Sequence, residues 1–280
     1  MEGESNVELI AKEDMKLVTK ATDQGEIIIG GPSSWSSHHV NDWLFCPYYG
    51  ATASKGFKTN RAMEIGTAVH AALAQHYAKR MYRERGQDPD KIAPWDAAVI
   101  EEHKSFGVLT LSEALHFGEQ AWSYLVDNDN IFGEVIGVEY EMKYDLQNGK
   151  FYTQKADLIT EFDGLVFIID HKTKAAFSRF KYHGQFQMIG YNALGKHIWG
   201  DKFGGVLVNE FVVGDSTFAS QYTPICSETI INNHWNRVRL SWLHRETYQH
   251  AKLEYIPKAP LNADNTPCRW CREKEACYPR

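Results

Sequence analysis

The chain has 280 residues, of which 43% are hydrophobic and 24% charged. That balance excludes a disordered or collagen-like polymer and allows a sizeable buried core. The formal net charge of −6 neither advertises nor excludes a nucleic-acid partner, because attraction depends on where Lys and Arg cluster.

Residues 1–25 are polar and mixed in charge, unlike the basic start and apolar core of a signal peptide. No apolar run approaches the ~18 residues of a membrane span. A cytoplasmic protein with no membrane partner is the expectation. Residues 1–30 lead into Gly30-Gly31-Pro32 and read as a flexible N-terminal arm, leaving 31–280 as a single domain. A short helix is expected around Val40, Trp43 and Leu44, following good N-cap serines. Arg61 to Arg85 reads as a second helix, with Ile65, Val69, Ala72 and Leu73 at the spacing of a buried stripe. Gln87-Asp88-Pro89-Asp90 breaks it. Trp95–Lys104 and Ser112–Val126 read as two more helices, the latter opened by a Thr110-x-x-Glu113 capping box. Residues 86–130 therefore form a helical layer over a sheet.

From Gly137 the period changes from helical to two, with Val138, Tyr140 and Met142 alternating with polar residues. Two further strands flank Asp163-Gly164, a strong two-residue hairpin signal because a type I′ turn needs positive φ at both central positions. Ladder partners in that hairpin have numbers summing to 327, which sets Asp157 opposite Asp170. Opposed like charges with Cβ atoms about 5 Å apart repel, and a divalent cation between them reverses the sign. Lys172 shares a face with Asp170, roughly 6–7 Å along the strand. LVFIID is apolar on both faces and suits a central strand. A helix from Phe180 to Trp199, strands in VLVNEFVV and ASQYTPI, and a helix from Ser227 to Lys252 complete the pattern. Residues 255–280 are irregular and cysteine-rich.

Three other features carry chemistry. Gly66 and His70 lie one helical turn apart, so a histidine sits beside an open helix face; alone, such a histidine is more often simply solvated. Gln187 and Tyr191 are likewise one turn apart. Lys174, Arg179 and Lys181, interleaved with Phe177 and Phe180, supply the cations and rings of a single-strand groove, with a solvated loop as the competing account.

The order GxxxH helix, carboxylate strand, D-x-K strand and QxxxY helix, with Glu139 on the preceding strand, closely resembles the RecB-type branch of the PD-(D/E)xK nuclease superfamily. The resemblance covers roughly residues 33–280. It implies an α/β fold: a central mixed β-sheet flanked by helices, in a restriction-endonuclease-like core. It also implies that His70, Asp157, Asp170 and the His171 backbone carbonyl ligate magnesium or manganese. Lys172 would hold the attacking water and offset transition-state charge, and Gln187 and Tyr191 would position the substrate strand. The implied activity is metal-dependent DNA hydrolysis, as an exonuclease on single-stranded ends. The contexts it suggests are recombination, repair, CRISPR adaptation or phage DNA metabolism, beside a helicase, integrase or recombinase partner. A non-catalytic DNA-binding scaffold with a relic nuclease fold is the alternative, and intact Asp157, Asp170 and Lys172 argue against it.

Five unevenly spaced cysteines do not form a secreted disulfide framework. Cys268-x-x-Cys271 with Cys277, plus distant Cys46, offers four thiolates that fit either tetrahedral zinc or a 4Fe-4S cluster. One upstream cysteine with three near the C-terminus resembles the iron-sulfur staple of AddB-type and CRISPR-associated adaptation nucleases, which favours the cluster over zinc. Cys226 is left over as a buried structural thiol.

Overall fold

In a computed structural model of the protein, the described residues are 15, 17–29, 35–52, 59–128, 133–147, 149–176, 182, 184–215 and 217–256. The chain divides into two compact units. One comprises the residues up to 33 with 59–142 and 154–226; the other comprises 34–58, 143–153 and the residues from 227.

The first unit opens with a hairpin where a flexible arm was expected. Strands β1 (Thr19–Thr22) and β2 (Gly25–Ile28) pair antiparallel. Gly25 has a φ of 118° and accepts the Thr22 hydroxyl at 2.7 Å. Ile27 and Ile28 are buried, and the Glu26 carbonyl accepts the Ala93 N–H at 2.9 Å. Four-residue strands are too short for alternation to announce them, so burial against distant residues is what orders this segment.

Helix α3 (Arg61–Glu84) starts where the Asn60 side chain accepts the Met63 N–H at 3.1 Å. Its buried stripe, including Ala68, Val69, Ala72 and Leu73, enters two clusters of the core. Helices α4 (Trp95–His103) and α5 (Leu111–Asn128) follow it. The expected capping box forms: the Glu113 N–H meets Thr110 Oγ1 at 3.3 Å and the Thr110 N–H meets Glu113 Oε2 at 2.9 Å. A Cβ on Gly118 would stand 2.9 Å from Val99 and 3.1 Å from the Trp95 ring, so only glycine lets α4 approach α5 this closely.

The sheet has five strands in the order β3 (Glu134–Asp145), β4 (Phe151–Phe162), β5 (Leu165–Lys174), β6 (Phe203–Val212) and β7 (Thr217–Thr223). β4 pairs antiparallel with β5, β5 parallel with β6 through the crossover helix α6 (Phe186–Trp199), and β6 antiparallel with β7. This is the expected α/β fold with a central mixed sheet flanked by helices. Asp163 and Gly164 have φ of 51° and 73°, as a type I′ turn requires. Pairs from Phe162↔Leu165 to Leu158↔Ile169 all keep the register sum of 327. β5 is central, and Val166, Ile168, Ile169, Asp170 and His171 are buried. Helix α6 begins later than its sequence pattern indicated. Gly184 has a φ of 86° and Gln185 is extended, which stops the helix short of Phe186.

The second unit contains α1 (Ser37–Phe45), α2 (Pro47–Thr52) and α7 (Glu228–Tyr248). Tyr152 is fully buried there, its hydroxyl 3.0 Å from Ser37 Oγ, and Trp235 stacks on Tyr144 at 4.0 Å. Cys46 caps the C-terminus of α1 and is partly exposed. Cys226, in the first unit, is partly exposed too rather than buried, although burial still pushes its thiol pKa up. Cys268, Cys271 and Cys277 lie outside the described residues, as do Arg179 and Lys181. Among the described residues no helix is long and apolar enough to cross a membrane.

Candidate active site

Five elements, two helices and three strands, bring the polar side chains together. α3 supplies His70, the neighbouring strands supply Glu139, Lys155, Asp157, Asp170 and Lys172, and α6 supplies Gln187 and Tyr191. The cleft, with a volume of about 630 Å³, is lined by residues that include Gly66, His70, Glu102, Glu139, Lys155 and Lys172. Nothing lies nearer than 3.9 Å to a Cβ built on Gly66, so this glycine widens the cleft rather than admitting a neighbouring backbone.

One cluster is a set of metal-type donors. His70, Glu139 and Asp157 each place a ligand atom within 4.8 Å of the others. His70 Nε2 lies 3.0 Å from the His171 carbonyl, and Nδ1 lies 3.6 Å from Asp157 Oδ1. A carbonyl oxygen can only accept, so the ring proton sits on Nε2 and a neutral ring leaves Nδ1 with a free lone pair. Burial, the largest influence, lowers the His70 pKa and favours that neutral form. Asp157 Oδ2 accepts the His171 N–H at 2.7 Å. Burial first, and then the charge of Asp170, push the Asp157 pKa up to about 7. Glu139 is raised for the same kind of reason, by burial and then by Asp157, and it is ion-paired with Lys155. One imidazole nitrogen and two carboxylates suit a magnesium- or manganese-class cation.

The second cluster surrounds Asp170, which is 1% exposed. Its Oδ1 is 3.1 Å from Lys172 Nζ, 3.2 Å from Gln187 Nε2 and 3.1 Å from the Tyr191 hydroxyl. Its Oδ2 lies 2.8 Å from Lys172 Nζ but makes no hydrogen bond among the described residues. Lys172 also donates to Gln187 Oε1 at 3.1 Å. Burial alone would lower the Lys172 pKa, but the charges of Asp170 and Asp157 outweigh it and the net shift is upward. Tyr191 is buried, with its hydroxyl 2.8 Å from the Lys155 carbonyl. It therefore faces the carboxylate and the backbone of β4, where the sequence suggested contact with a substrate strand.

The sequence-derived set is thus divided. His70 and Asp157 share one cluster; Asp170, Lys172, Gln187 and Tyr191 share the other; the His171 carbonyl contacts the His70 ring. Asp157 and Asp170 follow the last ladder pair, Leu158↔Ile169, and are not themselves a ladder pair. Lys174 places its Nζ 5.6 Å from the centre of the Tyr182 ring. Two residues carry more than their motifs promised. Glu139 has a φ of 49°, a left-handed conformation rare outside glycine that turns its carboxylate into the donor cluster. Lys155 is the partner that holds it there. Neither role has a spacing signature.

The sequence profile of the PD-(D/E)XK nuclease superfamily matches residues 34–278. No curated protein matches at a significant level. Among solved structures, an exonuclease candidate from Eubacterium rectale has 12% identity and a TM-score of 0.49, covering 81% of this chain and 90% of that one. SSO0001 has 14% identity and a TM-score of 0.35, covering 77% of this chain and 95% of that one. With a profile match over most of its length, the chain belongs to the PD-(D/E)XK nuclease superfamily.

Proposed function

We propose that the protein is a divalent-metal-dependent deoxyribonuclease acting as an exonuclease at single-stranded DNA ends. The observation that carries this reading is the convergence of His70, Glu139 and Asp157 beside a cleft that His70 and Glu139 line, next to the Asp170–Lys172 pair. His70 through Nδ1, Glu139, Asp157 and Oδ2 of Asp170 would hold magnesium or manganese. Such an ion, when bound, supplies Lewis acidity that polarises a phosphoryl oxygen and lowers a water pKa from about 15.7 towards 7. Lys172 holds an ammonium where charge develops on the phosphoryl oxygens and orients the attacking water. Gln187 fixes both partners of that pair, and Tyr191 fixes Asp170 against β4. Lys174, Arg179 and Lys181 contact the strand's phosphates.

The proposal includes a 4Fe-4S staple on Cys46, Cys268, Cys271 and Cys277, which rests on the resemblance to iron-sulfur-stapled nucleases, with zinc as the other metal that four thiolates accept. A bridge between such distant positions stabilises by about 5 kcal/mol in the chain-entropy model. Purification without oxygen, followed by a visible spectrum and iron and zinc analysis, tests it. Cys271→Ala with unchanged melting temperature removes the staple from the proposal.

The activity is tested with end-labelled single- and double-stranded DNA and magnesium or manganese. Stepwise shortening of single strands, abolished in Asp170→Ala, is the expected result. Internal cleavage of circular single-stranded DNA contradicts the exonuclease assignment, and no hydrolysis with any divalent ion contradicts the enzyme.

A further inference from the structure

A second cavity of about 320 Å³ lies among α3, the start of α4 and α5, outside the set of residues described above. Its lining includes Gln75, His76, Lys79, Arg83, Trp95 and Trp122. The size falls at the lower end of the range for small-ligand sites. Trp95 and Trp122 stack at 5.8 Å with their planes 27° apart, and both rings are only partly buried. Gly118 is what allows Trp95 to sit there, since a Cβ would press on its ring.

Gln75 is the second, independent observation. It is 1% exposed, lines the cavity, and neither its amide nitrogen nor its amide oxygen has a hydrogen-bond partner among the described residues. A buried amide without partners costs free energy unless something satisfies it. A primary amide offers one donor and one acceptor side by side, which matches the paired donor and acceptor on the edge of a nucleobase. Tryptophan faces stack bases irrespective of sequence. Lys79 and Arg83, one turn apart on α3, place cations at the rim where a phosphate would lie.

We infer that this cavity binds a nucleotide: the base against the Trp95–Trp122 pair with its edge on Gln75, and the phosphate at Lys79 and Arg83. The inference rests on the nuclease reading in taking nucleotides as the ligand class. The source is either one unit of a bound strand or a free mononucleotide such as a cleavage product. α3 links this cavity to the cleft, because Ala71 lines the cleft and Gln75, one turn on, lines the cavity.

The test is tryptophan fluorescence of the full chain with a chelator present, so that binding is read without hydrolysis. The titrants are deoxyadenosine monophosphate and a short thymidine oligonucleotide. Saturable quenching by the mononucleotide assigns a free-nucleotide site; quenching by the oligonucleotide alone assigns a strand subsite. Trp122→Ala should weaken binding about 5- to 100-fold. Lys79→Ala and Arg83→Ala, at half-buried and exposed positions, should each reduce the salt dependence of binding by about 0.7 in log–log slope. Gln75→Leu, close in volume, should lose affinity while its melting temperature holds or rises. The inference is overturned if neither titrant quenches, or if affinity is unchanged in Trp122→Ala and in Lys79→Ala with Arg83→Ala. Cleavage with magnesium is measured separately in the same variants. Binding without cleavage sinks the nuclease reading and spares this one; cleavage without binding does the reverse.

Discussion

Two carboxylates of the first unit, buried Glu64 and half-buried Asp157, stand in opposite electrostatic states. Glu64, on α3, is 1% exposed and accepts the Thr59 hydroxyl at 2.6 Å and the N–H groups of Gly107, Val108 and Leu109 at 2.7–3.2 Å. Burial pushes its pKa up, but the Thr59 hydroxyl and these backbone donors outweigh it and hold the value at about 2. Asp157 has one backbone donor and a neighbouring carboxylate, and its pKa rises to about 7. The first carboxylate clamps the loop between α4 and α5; the second is left underpaid. The unbalanced charge at Asp157 is what a divalent cation in the proposed site would offset.

The sharpest break of this contrast comes from the proposed catalytic pair. Lys172→Met should lower cleavage by about 100- to 1000-fold, the usual loss when a charge-stabilising group is removed, with the fold intact by circular dichroism. Asp157→Asn removes the repulsion without a change of shape. In the metal-free protein it should raise stability by on the order of a few kcal/mol at neutral pH. It should also abolish the gain expected from added manganese, which in the wild-type protein should reach about 2.7 kcal/mol at a hundredfold excess over Kd. Thermal unfolding with and without the ion checks both statements.

Glu64→Gln acts in the other direction, lowering the melting temperature because backbone donors lose a charged acceptor. Its pH dependence has a defined sign. The folded pKa of about 2 lies below the ordinary 4.5, so the clamp is fully present above pH 4.5. It is lost as pH falls from 4.5 to about 2. The variant's acid unfolding should be flatter across that window. A smaller effect is expected for Tyr191→Phe, about 10-fold on turnover, because Asp170 Oδ1 keeps Lys172 and Gln187. The smallest is Lys174→Ala, which should weaken single-strand binding uniformly and reduce its salt slope by about 0.7.

Local chemistry made the hairpin legible from the chain alone. Asp163-Gly164 accepts the two positive φ values of its turn, and the side-chain period of two then sets every partner up to Leu158↔Ile169. The helices α3, α4 and α5 were equally readable, since their stripes and caps depend on neighbours three and four residues away. The order of their motifs also singled out His70, Asp157, Asp170, Lys172, Gln187 and Tyr191, which the structure divides between two clusters. The N-terminal hairpin was not legible, because its strands are too short to show a period. The split of the acids was not legible either. A left-handed Glu139 and the direction in which each carboxylate turns are settled by long-range packing. The same holds for the amide of Gln75, a polar position within a helix that the tertiary structure leaves 1% exposed and without a hydrogen-bond partner among the described residues. Periodicity determined which faces are buried; only the tertiary structure decided which buried polar groups are satisfied, because their partners lie far apart in the chain.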